Sequence, residues 1–86
     1  MFVVLTYDVS SKKANKTIKI CRKYLSHVQK SVFEGYLTGL QLEQLKNEIK
    51  PIIDPNKDSI LIYCMESTKY TKKLELGKVV KDDFII

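Results

Sequence analysis

The sequence predicts a small α+β domain in which two helices pack on one face of an antiparallel β-sheet. Two stretches have apolar residues at helical spacing, whereas four other segments are apolar or alternating runs of strand length. With 86 residues the chain is long enough for one such domain. A monomer of this size buries only about 60–65% of the surface that its unfolded chain exposes, so dimerisation would add needed stability.

The first two elements are a strand and a helix. Residues 2–5 are continuously apolar and rich in β-branched side chains, which indicates a central strand covered on both faces. Between Ser10 and Ser26 the spacing becomes helical, with Ser10 or Ser11 as the N-cap. The apolar face of this helix consists of Ala14, Ile18, Cys21 and Leu25.

The next two elements are again an extended segment and a helix. Residues 28–37 are predicted to form an edge strand because Gln29, Lys30 and Ser31 are polar, and Gly35 indicates a bulge or bend. A second amphipathic helix follows and stops at Pro51. Its capping box is Thr38 with Gln41, and its apolar face is Leu42, Leu45 and Ile49.

The last predicted strands are SILIYCM, which is apolar enough to be central, and the short KKLELGK. We interpret the order as βαββαβ, a ferredoxin-like sandwich with the first and third strands in the middle of the sheet. Residues 1–77 form this domain. Residues 78–86 are a surplus C-terminal tail or additional strand, and its apolar end, Phe84–Ile86, is expected to pair with an edge strand of a second subunit.

The charge balance favours a polyanionic partner such as DNA or RNA. Lysine and arginine total 15 against 10 acidic residues, a formal charge of +5. Four lysines of the first helix lie on a stripe about 180° from its apolar face. Two interpretations remain open for this lysine stripe, an ordinary solvated face or a ridge that follows phosphates: Lys12, Lys16, Lys19 and Lys23.

The cysteine and hydropathy patterns indicate a soluble cytoplasmic protein with no membrane partner. Cys21 and Cys64 fall within apolar patterns, which is typical of buried free thiols in a reducing compartment. His27 is the one histidine, too few ligands for a zinc site. The N-terminal apolar run is short and lacks a preceding basic region, so it is neither a signal peptide nor a membrane span.

Asp8 stands where the first strand ends, and its role has two interpretations. Acids at strand ends commonly accept hydrogen bonds from backbone amides of the following turn. A carboxylate is also a ligand that Mg²⁺ or another divalent cation prefers.

Three motifs resemble the CRISPR-associated Cas-two family over nearly the whole chain. They are YDV at residues 7–9, RKYL at residues 22–25 and VQKSVFEG at residues 28–35, and DSILIY at residues 58–63 is also similar. The resemblance implies a ferredoxin-like homodimer whose C-terminal strand completes the sheet of the partner. It further implies antiviral defence, with spacer acquisition alongside the CRISPR integrase of the Cas-one family. It also implies a magnesium-dependent endonuclease that hydrolyses single-stranded RNA or double-stranded DNA.

The resemblance also assigns candidate site residues. Asp8 falls on the metal-binding aspartate of the family, and Tyr7 and Phe33 fall on positions associated with the catalytic site. For Tyr7 and Phe33, packing in the core is the alternative. Contact with nucleic acid is expected from Ser31, from His27, which stands where a basic residue is common, and from the lysine stripe.

One magnesium ion needs more than one carboxylate or several waters and phosphate oxygens, so two Asp8 residues facing across a dimer axis make a better site than one. Three functions remain open: a metal-dependent nuclease, a non-catalytic adaptor that holds duplex DNA and bridges integrase dimers, and an unrelated ferredoxin-like nucleic-acid-binding module. The sequence argues against the third function, because SILIYCM lacks the glycine-rich and aromatic pattern that is typical of the third strand of an RNA-recognition motif.

Overall fold

A computed structural model describes residues 1–66 and Leu74. Its elements in chain order are β1 (Phe2–Asp8), α1 (Ser11–Arg22), β2 (Ser26–Gln29), β3 (Val32–Tyr36), α2 (Gly39–Ile49) and β4 (Ser59–Met65). The sheet has the order β2-β3-β1-β4, and every neighbouring pair is antiparallel. This confirms the α+β class and the ferredoxin-like βαββαβ order, although two of the strands that form it differ from those predicted.

The predicted edge strand over residues 28–37 is in fact two strands. β2 and β3 pair as a hairpin, with Lys30 and Ser31 at its turn. The polar run Gln29-Lys30-Ser31 is therefore a strand end and a turn. The register irregularity lies between His27 and Gln29, so the bulge is in β2, and the expectation that Gly35 marks it was wrong.

The segment SILIYCM is β4, and its predicted central position was wrong. Among the described residues it pairs with β1 alone and ends the sheet, while β3 is the third strand and lies in the middle. Its apolar residues are half-buried or exposed, as Leu61 and Tyr63 illustrate. The predicted KKLELGK strand and the tail over residues 78–86 lie outside the described residues, except for Leu74, which is exposed.

Two helices cover one face of the sheet. The capping box of α2 is formed as predicted: Thr38 N–H donates to Gln41 Oε1 over 2.9 Å, and Gln41 N–H donates to Thr38 Oγ1 over 3.1 Å. Ser10 occupies the N-cap position of α1, but its side chain makes no capping bond. Neither helix in the described part of the chain is long and apolar enough to cross a membrane.

The core lies between the helices and the inner face of the sheet. Alternation along a strand puts Val3 and Leu5 on this face, together with Phe33 of β3. Side chains of the two helices and of the segments that follow α1 and β3 complete the cluster: Cys21, Leu25, Leu37, Leu45 and Ile49. Cys21 is buried as predicted, and burial raises the pKa of its thiol to about 12. Cys64 is exposed, contrary to the prediction.

Asp58 ties the start of α1 to the segment that leads into β4. Only 2% of its side chain is exposed, and Oδ2 accepts from Lys13 Nζ at 2.7 Å. It also accepts from the backbone N–H of Asp54 at 2.8 Å and of Ser10 at 3.2 Å. Lys13, followed by the backbone amide of Asp54, holds the pKa of Asp58 below its usual range.

We predict that Gly35→Ala destabilises the protein. A Cβ at Gly35 would lie 3.2 Å from Cδ2 of Leu25, which is fully buried and has little room to move. Overpacking a core destabilises a protein by about 1–3 kcal/mol. Replacing glycine also restricts the unfolded chain, but this stabilises the folded state by only roughly 0.4–1 kcal/mol, so the net effect should be destabilising. Thermal unfolding measures the difference. The control is Gly39→Ala, which meets nothing within 4 Å and should be neutral or slightly stabilising.

We also predict that the ion pair of Asp58 makes the protein less stable at acid pH than at neutral pH. Because the folded pKa is depressed, the contribution is complete above the unfolded pKa of about 4 and is lost as the pH falls through the folded pKa. Asp58→Asn should lower the melting temperature by several degrees at pH 7, and the gap to wild type should narrow as the pH falls below about 4. Glu43→Gln serves as a surface control. A gap that stays constant down to pH 2 would contradict the assignment.

Candidate functional site

Asp8 is the last residue of β1 and is exposed. Because Val3 and Leu5 point into the core, alternation places Asp8 on the opposite face of the sheet, with Phe2, Val4 and Thr6. No group of three acidic, histidine or cysteine side chains that could hold a metal occurs within the described residues. A single copy of the described chain therefore offers one carboxylate at this point.

Tyr7 fastens the end of β1 to the turn of the β2–β3 hairpin. Its hydroxyl donates to the carbonyl oxygen of Lys30 over 3.0 Å, and its backbone N–H donates to the carbonyl oxygen of Ser31 over 3.1 Å. Burial, and to a lesser extent the neighbouring Cys21, raises the pKa of Tyr7. The hydroxyl therefore remains protonated at neutral pH, as a hydrogen-bond donor requires.

His27 contacts the same carbonyl oxygen of Lys30. Its Nε2 lies 2.9 Å from the carbonyl oxygen of Lys30, so the ring donates when Nε2 carries the proton. The imidazole stacks on Phe33 with ring centroids 4.3 Å apart and planes 10° apart. The ring of Tyr7 also lies near Phe33, with ring centroids 6.3 Å apart and planes tilted by 37°. The Lys30 carbonyl therefore receives two donors, and one buried aromatic ring supports both.

The fold brings four of the predicted site residues together where the end of β1 meets the hairpin turn: Tyr7, His27, Ser31 and Phe33. The side chain of Asp8, the residue after Tyr7, lies on the opposite face of the sheet and is not part of this cluster. Phe33 is fully buried, so it contributes by supporting the rings of its neighbours. Sequence reasoning missed the Lys30 carbonyl as the acceptor that joins Tyr7 to His27. The sequence does contain a signal for this arrangement. The polar pair Lys30-Ser31 predicts a hairpin turn if the residues on either side of it are taken as two short strands.

The lysine stripe lies on α1 and at its C-cap, and all four side chains are exposed. Lys23 bonds to Glu48 of α2, which also accepts a hydrogen bond from the Tyr24 hydroxyl. Lys23, followed by Tyr24, holds the pKa of Glu48 below its usual range. Lys12, Lys16 and Lys19 form no ion pair with a described residue, so positive charge is concentrated on the N-terminal and central parts of the helix.

The face of the sheet opposite the helices is largely apolar. Three of its side chains are strongly exposed, Tyr36 by 65%, Leu61 by 53% and Tyr63 by 58%. No described helix or loop packs across this face. We call it the open sheet face, and Asp8 lies at its end; its apolar members are Phe2, Val4, Val32, Tyr36, Leu61, Tyr63 and Met65. An apolar surface of this kind is typical of an interaction site.

Known proteins are similar to this chain in sequence. The sequence profile of the family described as CRISPR associated protein Cas2 matches residues 1–73. A protein from Dictyoglomus turgidum, named CRISPR-associated endoribonuclease Cas2, is 43% identical over 77 residues, which are 90% of this chain and 88% of the relative. The protein of the same name from Thermotoga maritima is 42% identical over 86 residues, covering 100% of this chain and 99% of the relative.

Solved structures of the same family have the same fold. A crystal structure of Cas2 is 36% identical, with a TM-score of 0.82, and the match covers 91% of this chain and 87% of the other. The crystal structure of Streptococcus pyogenes Cas2 at pH 6.5 is 31% identical, with a TM-score of 0.77, and the match covers 91% of this chain and 100% of that one. The chain thus belongs to the Cas2 family of CRISPR-associated proteins, as the motifs of its first strand and hairpin indicated.

Proposed function

We propose that this protein is a homodimeric endonuclease of CRISPR defence that hydrolyses phosphodiester bonds of RNA or DNA with the help of a divalent cation. The relatives from Dictyoglomus turgidum and Thermotoga maritima are named endoribonucleases, which supports RNA as one substrate. Duplex DNA is the other candidate, because the lysine stripe presents point charges that suit phosphate contacts of either nucleic acid.

The observation that carries the proposal is the position of Asp8 on the open sheet face. A second copy that covers this apolar face would bury side chains such as Tyr63 and Leu61, which are more than half exposed in one copy. Burying a large apolar side chain contributes about 1.5–3 kcal/mol. In a two-fold symmetric pair the same surface of each copy forms the interface. If that surface is the open sheet face, both Asp8 carboxylates would lie at the interface.

The chemistry of Asp8 suits a magnesium site in such a pair. Mg²⁺ is commonly bound through one or two carboxylates, with water and substrate phosphate supplying the other oxygens. The two Asp8 side chains would hold the ion. When bound, the ion polarises a phosphoryl oxygen and lowers the pKa of a coordinated water.

The neighbouring residues fix the site in place. Tyr7 and His27 both donate toward the Lys30 carbonyl, so the hairpin turn is held against the end of the strand that carries Asp8. Rigid placement of reacting groups lowers the barrier of a hydrolytic step. We therefore propose that Tyr7 and His27 are positioning residues and that Ser31, at the same turn, contacts the nucleic acid.

A second candidate function is that of a DNA-holding adaptor in spacer acquisition with the Cas-one integrase. The three lysines without an acidic partner among the described residues favour it: Lys12, Lys16 and Lys19. A row of ammonium groups contacts phosphates without reading base sequence, which suits capture of any invading duplex. Binding and cleavage are compatible in one dimer.

We predict that Asp8→Asn abolishes metal-dependent cleavage. The variant keeps the size of the side chain but removes the charge, so loss of the cation should slow cleavage by about 100-fold or more. Labelled single-stranded RNA and duplex DNA are incubated with magnesium or with a chelator, and products are resolved by size. Glu43→Gln, an exposed acid of α2, is the control and should cleave as wild type does.

A companion variant, Tyr63→Glu, places charge on the open sheet face and should yield a folded monomer that does not cleave. Light scattering gives the mass of each variant. Cleavage by Asp8→Asn at the wild-type rate would contradict the site, and cleavage by a monomeric Tyr63→Glu would contradict the requirement for a dimer.

We also predict that the lysine stripe contributes unequally to nucleic-acid binding. Replacing Lys12, Lys16 or Lys19 by glutamine should reduce the slope of log affinity against log salt by about 0.9 for each phosphate that the variant no longer neutralises. Lys23→Gln should change the slope least, because Glu48 already neutralises that ammonium. Duplex binding is measured by fluorescence anisotropy between about 50 and 200 mM salt, a range over which phosphate contacts of this kind change affinity strongly. Unchanged slopes for all four variants would mean that the stripe is only a solvated face.

A further inference from the structure

The backbone around Asp8 is held on both sides of that residue. Before it, Tyr7 is bonded to the turn of the β2–β3 hairpin. After it, the chain leaves β1 and reaches Ser10, the N-cap of α1, within two residues. The backbone N–H of Ser10 donates to Oδ1 of Asp58 over 3.2 Å. The hairpin turn therefore fixes one end of this short segment, and Asp58 fixes the other.

Asp58 is itself held firmly in place. Its side chain is buried, and Oδ2 accepts from Nζ of Lys13 at 2.7 Å and from the N–H of Asp54 at 2.8 Å. The loop before it is bonded internally, because the N–H groups of Lys57 and Asp58 donate to the carbonyl oxygen of Asp54 over 3.0 and 2.7 Å. Such a carboxylate keeps its geometry, since an unpaired buried charge is costly.

The strand that pairs with Asp8 begins directly after Asp58. In the antiparallel pairing of β1 with β4, Asp8 lies opposite Ser59. Asp58 thus contacts the chain just after Asp8 and immediately precedes the residue paired with it. Because Asp8 is exposed on the open sheet face and Asp58 is buried, Asp58 is placed to act on Asp8 through the backbone.

We propose that Asp58 is a positioning residue for the metal-binding carboxylate of Asp8. This inference rests on the proposed function, in which two Asp8 side chains hold one divalent cation. Mg²⁺ demands nearly ideal octahedral geometry, so each Asp8 must leave β1 at a fixed place and in a fixed direction. Groups that orient metal ligands typically contribute about 10–100-fold to metal affinity or activity. In a two-fold symmetric pair, one substitution in the chain loosens both ligands at once.

Loosening of the segment after Asp8 can be measured without metal or substrate. Asp58→Asn keeps the size of the side chain, but its amide nitrogen cannot accept a hydrogen bond, so fewer of the three donors are satisfied. Backbone ¹⁵N relaxation gives order parameters, which are about 0.85 for a rigid backbone and below about 0.6 for a flexible one. We expect the values of residues 8–10 to fall toward the flexible range, while those of residues 3–5 stay rigid.

Cleavage of labelled RNA then separates positioning from a purely structural role. Asp58→Asn should lower kcat by about 10–100-fold and raise the magnesium concentration that gives half-maximal cleavage. KM for RNA should stay within about twofold of wild type, because the lysine stripe is unchanged. All rates are measured at a temperature where circular dichroism shows every variant to be folded.

Leu37→Val is the matched control for lost stability. Leu37 is buried and its backbone pairs with Met1, at the end of β1 opposite to Asp8. Because the variant removes one methylene group from the core, it should lower the melting temperature. It should nevertheless keep the kcat and the magnesium requirement of wild type.

Lys13→Gln is the second variant, to be used if Asp58→Asn does not fold. The side chain of Lys13 is 32% exposed, so the substitution leaves the core intact. A neutral amide still donates to Asp58, but without the charge that strengthens the bond. The order parameters of residues 8–10 and kcat should both change in the same direction as in Asp58→Asn, by a smaller amount.

The results that would overturn the proposal differ in what else they affect. Wild-type order parameters at residues 8–10 in Asp58→Asn would mean that Asp58 does not fix this segment. An unchanged kcat and magnesium requirement, or an equal loss in Leu37→Val, would reject positioning and leave Asp8 as the metal ligand. A wild-type protein that does not cleave RNA with magnesium rejects the proposed function and the catalytic part of this inference together, whereas the order parameters still test whether Asp58 holds the segment.

Discussion

The pairing of β1 with a neighbour on both sides is the constraint on which the rest of the structure depends. Its register is fixed twice, since Leu5 lies opposite Phe33 of β3 and opposite Ile62 of β4. A shift by one residue would move Val3 and Leu5 out of the core and turn every side chain to the wrong face. The same register decides that Asp8, three residues after Leu5, emerges on the open sheet face.

A second level of organisation holds the hairpin turn against the end of β1. The Lys30 carbonyl accepts hydrogen bonds from Tyr7 and from His27, which come from two different strands. Both rings lie against Phe33, so burial of one aromatic side chain and satisfaction of one backbone acceptor support each other. The motif over residues 28–35 therefore has a mainly structural role. It holds the hairpin turn against the end of β1, the strand that carries Asp8.

The charged side chains on and around α1 divide into those that form ion pairs with other segments and those that are exposed and could bind phosphate. Asp58 binds Lys13 at the start of α1, and Glu48 binds Lys23 at its end, so each end of the helix is attached to another segment by an ion pair. The remaining lysines of the helix face solvent without an acidic partner among the described residues. A formal charge of +5 therefore understates the local field along α1, which is the property that a phosphate backbone senses.

The sequence by itself determined the fold class, both helices, the capping box at Thr38 and the strand that ends at Asp8, because these follow from local spacing and local hydrogen bonds. Family motifs pointed to Asp8, Tyr7 and Phe33 before any geometry was known. Only the tertiary structure decided that β4 lies outside β1 and that residues 28–37 form a hairpin. It alone joined Tyr7 to His27 through the Lys30 carbonyl. These depend on which strands become neighbours, a choice made by packing between distant segments that periodicity along one segment does not contain.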